Sequence, residues 1–148
     1  KVSAKLIMVG EGPEKAKAMT RCEELGMMDK VSFLGKSNQV YEILCYSDLF
    51  LLPSESESFG LAALEAMMMR VPVISTNVGG LPEVNIDGES GYLFALGDVD
   101  GMAKKSIALL SNEDLLQQFK AQAFALAKRY DIDTVVSQYI AIYQKVLA

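Results

Sequence analysis

The chain has no histidine and no tryptophan, and only two cysteines among its 148 residues. Without histidine, a Ser-His or Cys-His nucleophile pair cannot be assembled from it. Cys22 and Cys45 form no C-x-x-C and have no histidine companions, so a zinc site is not expected. Both lie in helix-like stretches and read as buried thiols of a reducing, cytoplasmic setting rather than as a disulfide. No apolar run approaches the length of about eighteen residues that a spanning helix needs, and no signal-peptide pattern opens the sequence. Positive charge is scarce too. Fourteen Lys and Arg face nineteen Asp and Glu, for a net charge of −5. That balance gives no footprint for nucleic acid or an anionic membrane, although a local basic pocket is still allowed.

What the chain has is apolar residues, 51% of the total, enough to build the core of one domain. Short apolar runs alternate with helical patterns. Strands are expected at 4–10, 30–35, 48–54, 71–76 and 92–95, and helices at 13–26, 38–47 and from Ser58 to about Met69. Pro13 is placed to open the first helix and Gly26 to stop it. The segment "NVGGLPEV" reads as loop. Three helices close the chain, at about 98–110, 112–129 and 132–147, with Asn112 and Asp131 or Asp133 as caps. The pattern predicts a Rossmann-like parallel sheet with helices on both faces. Ligands of such sheets bind beyond the carboxyl ends of the strands. Three Gly-containing polar loops gather there: "VGEGP", "FLGKSN" and "PSESESFG".

The last of these carries the sharpest signal. Glu57 and Glu65 stand eight positions apart across a helix start. Unpaired amides and the helix dipole suit that start to phosphate. Ser58 is placed to cap the helix, Phe59 to wall a pocket, and Gly60 to let a ligand approach the backbone. Ser58, Phe59, Gly60 and Leu61 could then offer amides to a diphosphate. Carboxylates bind hydroxyls well, so Glu57 would meet a sugar and Glu65 a ribose. Two acids at this spacing are more often ordinary helix positions. Gly10-x-Gly12 is not a G-x-G-x-x-G, so a nicotinamide site is disfavoured and a structural turn is the plainer reading. Gly79-Gly80 and Pro82-Glu83 read as a turn supporting the site. Met67-Met68-Met69 read as core filler, and Lys104-Lys105 and Lys128-Arg129 as solvated positions.

Taken together, "ESFGLAALEAM", "VPVISTNVGGLPEV" and "GESGYLF", with "LIMVGEGP" and "VSFLG" before them, resemble the donor-binding domain of family-four retaining glycosyltransferases of the GT-B fold. The resemblance runs from about Ala4 to the end. It implies transfer of a sugar from a nucleoside diphosphate, UDP by expectation, to an acceptor hydroxyl, with the anomeric configuration kept and no cofactor or metal. It implies that Glu57 touches donor-sugar hydroxyls as the catalytic-site acid, that Ser58, Phe59, Gly60 and Leu61 meet phosphate and sugar, and that Glu65 holds the ribose. Gly10, Gly12, Gly35 and Lys36 complete the donor site, the last two beside the base.

Two departures stand out. Met69-Arg70 replaces the family's small residue and Gly, a loss of roughly 1 kcal/mol if that position is left-handed. The family's first strand, with an Arg and a Lys that clamp the diphosphate, has no match here, nor has the acceptor domain. The expectation is thus a donor domain over 1–148, truncated at its N-terminus. In a 3-2-1-4-5-6 sheet the missing strand is central. Leu6–Val9 and Leu49–Leu52 would then flank a gap with open edges that invite self-association. They would close on each other, be bridged by another chain, or belong to a longer protein. The alternatives are a non-catalytic nucleotide-binding or interaction module of the same fold and a sugar-nucleotide epimerase or phosphorylase.

Overall fold

In the computed structural model, which describes residues 2–147, every strand pairing is parallel and the strands fall into two sheets. The chain forms two compact units, one through Ile43 and one from Leu44 onward, each described by itself below.

The first unit contains β1 (Leu6–Val9), α1 (Lys15–Glu24) and β2 (Val31–Gly35). β1 pairs with β2 from Leu6 opposite Val31 to Met8 opposite Phe33, and the register then shifts so that Val9 meets Gly35. Gly26, at φ 62°, ends α1 as expected. The Met27 amide donates to the Cys22 carbonyl and the Gly26 amide to that of Glu23, the back-bonding that closes a helix through a left-handed residue. The opening residue differs from expectation: Pro13 lies in a turn and the helix begins at Lys15. The short helix α2 (Val40–Cys45) spans the boundary between the units.

The second unit is built on β3 (Phe50–Leu52), β4 (Val73–Thr76) and β5 (Gly91–Phe94), with β4 in the middle. All four β4 residues are buried, the pattern of a strand covered on both faces. Ile74 packs with Leu109, Leu116 and Phe119, supplied by α5 (Val99–Leu110) and α6 (Glu113–Ala127). Ser75, its neighbour on the opposite face, meets Asn85. The expected parallel α/β architecture with helices on both faces therefore holds. Asp98 caps α5 by accepting from the Gly101 amide, and Asn112 caps α6 through Leu115. Asp131 accepts from the Asp133 amide at the start of α7 (Ile132–Leu147).

Two further expectations of secondary structure are corrected. The segment read as loop contains a one-turn helix, α4 (Leu81–Val84). The helix expected from Ser58 begins at Leu61, as α3 (Leu61–Met68). Among the described residues, β1 pairs with β2 in the first unit, and β3 pairs with β4 in the second. The cysteines also differ from the buried thiols expected: Cys22 is half-buried and Cys45 exposed, and both are free. The Cys45 thiol donates to the Met69 sulfur at 3.6 Å, while Met67 is fully buried core.

Candidate functional site

The loop between β3 and α3 is fixed from below by the end of β4. The Thr76 hydroxyl donates to the Ser54 carbonyl at 2.6 Å, and the Gly80 amide donates to the Glu57 carbonyl at 3.3 Å. Gly79 and Gly80 allow this approach. Gly79 has a left-handed φ of 53°, and a Cβ there would collide with the Glu57 carbonyl. A Cβ on Gly80 would lie 2.6 Å from the Ser58 carbonyl oxygen and 2.8 Å from the Phe59 Cα. The di-glycine thus supports the segment that carries Glu57, Ser58 and Phe59, in the supporting role read from sequence.

Gly60 decides where the helix starts. Its φ of 101° breaks the helical run, and it becomes the N-cap of α3. Ser58 therefore lies outside the helix and does not cap it, contrary to expectation. No side chain caps α3, so the amides of its first turn keep the ligand-binding capacity of an open helix start. The bare α-carbon of Gly60 faces protein, because a Cβ there would meet Leu81 at 2.9 Å and Val84 at 3.0 Å. On that side, α4 makes the close approach expected of a ligand.

Glu57 is half-buried just ahead of this start, and Glu65, also half-buried, sits in the second turn of α3, closer to its beginning than the sequence suggested. Phe59 is 36% exposed and Leu61 67%, so both present apolar surface beside the acids.

Sequence reasoning missed the residues that hold this frame from behind. Asn85 is fully buried. Its Nδ2 donates to the Val73 carbonyl and the Ser75 hydroxyl, and its Oδ1 accepts from Ser90. The Ser90 hydroxyl in turn accepts from the Ile86 amide at 2.8 Å. Buried polar groups satisfied in this way fix geometry, because each would be costly if left alone. An Asn after "LPEV" carried no signal that it would be buried.

The first unit brings Gly10, Gly12 and Gly35 near one another. The Gly10 amide donates to the Gly35 carbonyl at 2.7 Å. The β1 end and the following loop line an open cleft of about 270 Å³ together with Phe33 and Lys15. Lys15 pairs with Glu11 at 2.9 Å, and a Cβ on Gly35 would lie 2.7 Å from the same carboxylate. Lys36, the next residue, is exposed. The structure thus presents two clusters in two units: Gly10, Gly12, Gly35 and Lys36 in the first, and Glu57 to Leu61 with Glu65 in the second.

This fold is that of the GT-B glycosyltransferases. The chain overlays Anabaena Alr3699/HepE, solved in complex with UDP, with a TM-score of 0.89 at 24% identity, covering 96% of this chain and 41% of that one. It overlays TarM with a TM-score of 0.85 at 24% identity, over 94% of this chain and 28% of that one. The model of the family "Glycosyl transferases group 1" matches residues 1–125, and the chain belongs to that family. Among curated relatives, it is 46% identical over 147 residues to the N-acetyl-alpha-D-glucosaminyl L-malate synthase of Bacillus anthracis, covering 99% of this chain and 39% of the relative. It is 31% identical to the phosphatidyl-myo-inositol mannosyltransferase of Mycobacterium leprae, covering 95% of this chain and 38% of the relative. The chain thus spans about two fifths of the length of these relatives.

Proposed function

We propose that the chain is the donor-binding part of a cytoplasmic, retaining glycosyltransferase that moves N-acetylglucosamine from UDP to the hydroxyl of L-malate. The observation that carries the reading is the uncapped start of α3, set between two half-buried carboxylates on a loop held by Gly79 and Gly80. The 46% identity to the N-acetylglucosaminyl malate synthase supports the particular donor and acceptor.

In this reading the α3 amides receive the diphosphate, and their dipoles meet the negative charge that grows on it as the glycosidic bond breaks. Glu57 accepts hydrogen bonds from sugar hydroxyls and orients the anomeric carbon, a contribution through positioning. Glu65 accepts from the ribose. Gly10, Gly12, Gly35 and Lys36 line the nucleoside end. No side chain of this cluster is called on as a covalent nucleophile.

The test uses the full-length protein that carries this chain. Incubated with UDP-N-acetylglucosamine and L-malate, it should release UDP and form the glycoside with retained configuration. Glu65→Ala should weaken binding of bare UDP by about 1.5–3 kcal/mol, the value of a hydrogen bond to a charged group. Glu57→Ala should lower kcat far more than UDP affinity. Calorimetry with UDP separates the two, and equal affinity losses would defeat this division of roles. UDP binding without transfer to any acceptor would favour the non-catalytic module.

A further inference from the structure

Tyr130 ends the short 3₁₀ turn (Lys128–Tyr130) that follows α6. It lies five positions beyond the segment matched by the family model, and nothing in the spacing of the E-x7-E motif points to it. Its ring meets the ring of Phe59 edge-on, with centroids 5.9 Å apart and an interplanar angle of 72°. Its hydroxyl donates to the Glu83 carbonyl at 2.6 Å. Glu83 belongs to α4, whose N-cap is Gly80, and Gly80 packs directly on the Ser58 and Phe59 backbone. The contacts therefore form a closed circuit: Tyr130 to Phe59 by ring contact, Phe59 to Gly80 by backbone packing, and α4 back to Tyr130 by the hydrogen bond.

We infer that Tyr130 is a positioning residue for the donor loop, holding Phe59 and α4 in one arrangement so that the Glu57–Leu61 segment presents a fixed surface to the donor. The inference rests on the donor-binding reading above. Phe59 is more than one-third exposed, so on its open side solvent alone would leave it free to turn. Edge-on aromatic pairs favour a particular geometry rather than simple contact, and the Glu83 hydrogen bond anchors the tyrosine against that demand. A ring held at both ends restricts Phe59 where a merely apolar neighbour would not. Errors of an ångström in a substrate-facing loop cost turnover more than they cost affinity.

The test uses the full-length protein and measures kcat, donor KM, UDP affinity and thermal midpoint for Tyr130→Phe, Tyr130→Ala, Phe59→Leu and the Phe59→Leu/Tyr130→Ala double variant. Tyr130→Phe keeps the ring pair but loses the tie to Glu83, and should lower kcat about three- to tenfold with UDP affinity within about twofold. Tyr130→Ala should lower kcat further, and the double variant should lose less than the product of the two single losses, since the two rings act through a shared contact. If Tyr130→Ala fails to fold, Tyr130→Phe alone carries the test. The inference is overturned if Tyr130→Phe leaves kcat unchanged, or if the Phe59 and Tyr130 effects simply add. It is also overturned if the thermal midpoint falls while kcat per folded enzyme stays at the wild-type value. A wild-type protein that neither binds UDP nor transfers sugar defeats the donor-binding reading, and this inference with it. A wild type that does both beside additive variants defeats this inference alone.

Discussion

Two strands of four residues, β1 and β4, have nearly opposite surroundings. β1 is wholly apolar, Leu-Ile-Met-Val, yet its side chains are 39–46% exposed. β4 is half polar, Val-Ile-Ser-Thr, and nothing in it is more than 1% exposed. Neighbours make the difference. β4 lies between β3 and β5, while among the described residues β1 pairs with β2 alone. Packing from both faces then buries Ser75 and Thr76, whose hydroxyls are satisfied by Asn85 and by the Ser54 carbonyl. Hydrophobicity dictates that a segment seeks burial, and the number of partners decides whether it gets it. The candidate site of the second unit hangs from the carboxyl end of the strand that is held on every side.

The sharpest test of this contrast removes the same kind of side chain from each strand. Ile74→Ala empties a fully buried position against Leu109 and Phe119, and should cost about 2–5 kcal/mol in urea unfolding of the 148-residue chain. Met8→Ala removes an apolar side chain that is 39% exposed, and should cost less than about 1 kcal/mol. Similar losses at the two positions would mean that β1 is covered in solution and that the contrast is false.

Glycines extend the comparison to the loops. At Gly12 a Cβ would meet nothing within 4 Å, and the backbone there is not left-handed. At Gly79 the Cβ would strike the Glu57 carbonyl from a left-handed backbone. Gly79→Ala should therefore destabilise by about 1–3 kcal/mol from backbone strain alone, and in the full-length protein it should also depress donor turnover by displacing Glu57. Gly12→Ala should stay within about 0.5 kcal/mol of the parent. Thermal unfolding of the two variants side by side checks it. A Gly79→Ala protein as stable as Gly12→Ala would mean that the di-glycine does not hold the Glu57 segment.

Much of this was legible beforehand because it is local. The alternation of apolar runs and helical periods marked every strand. Asn112 announced its cap by chemistry that needs only the next three residues. The E-x7-E spacing drew attention to the right loop. What escaped depends on contacts between distant residues. Ser58 is a good cap by type, but Gly60 takes a left-handed conformation that suits packing on Leu81 and Val84, and the helix starts after it. "GGLPEV" has two glycines and a proline, so its single helical turn was hidden. Tyr130 and Asn85 gain meaning only from Phe59, Glu83, Ser75 and Ser90, which no spacing rule brings together.

A finer balance lies at the entry to β4, where Arg70 stands at the position that the family resemblance gives to glycine. Arg70 is the one non-glycine residue with positive φ, 60°, among those described, so the turn keeps its left-handed form. A non-glycine there costs roughly 1–2 kcal/mol. The guanidinium lies 4.4 Å from the centroid of Phe124, a cation–π contact worth about 0.5–1 kcal/mol at an exposed site. Arginine also loses less chain entropy on folding than glycine, by about 0.4–1 kcal/mol. The opposing terms nearly cancel, so Arg70→Gly should change stability by less than about 1 kcal/mol. Arg70→Ala keeps the strained backbone and forfeits the ring contact, and should lose about 0.5–1 kcal/mol. Lys128 lies 4.8 Å from the same ring and limits that loss by remaining over it. Guanidinium unfolding of both variants measures the ordering. If Arg70→Gly stabilises by well over 1 kcal/mol, the Phe124 contact contributes nothing and the arginine is an uncompensated strain at the mouth of the best-packed strand.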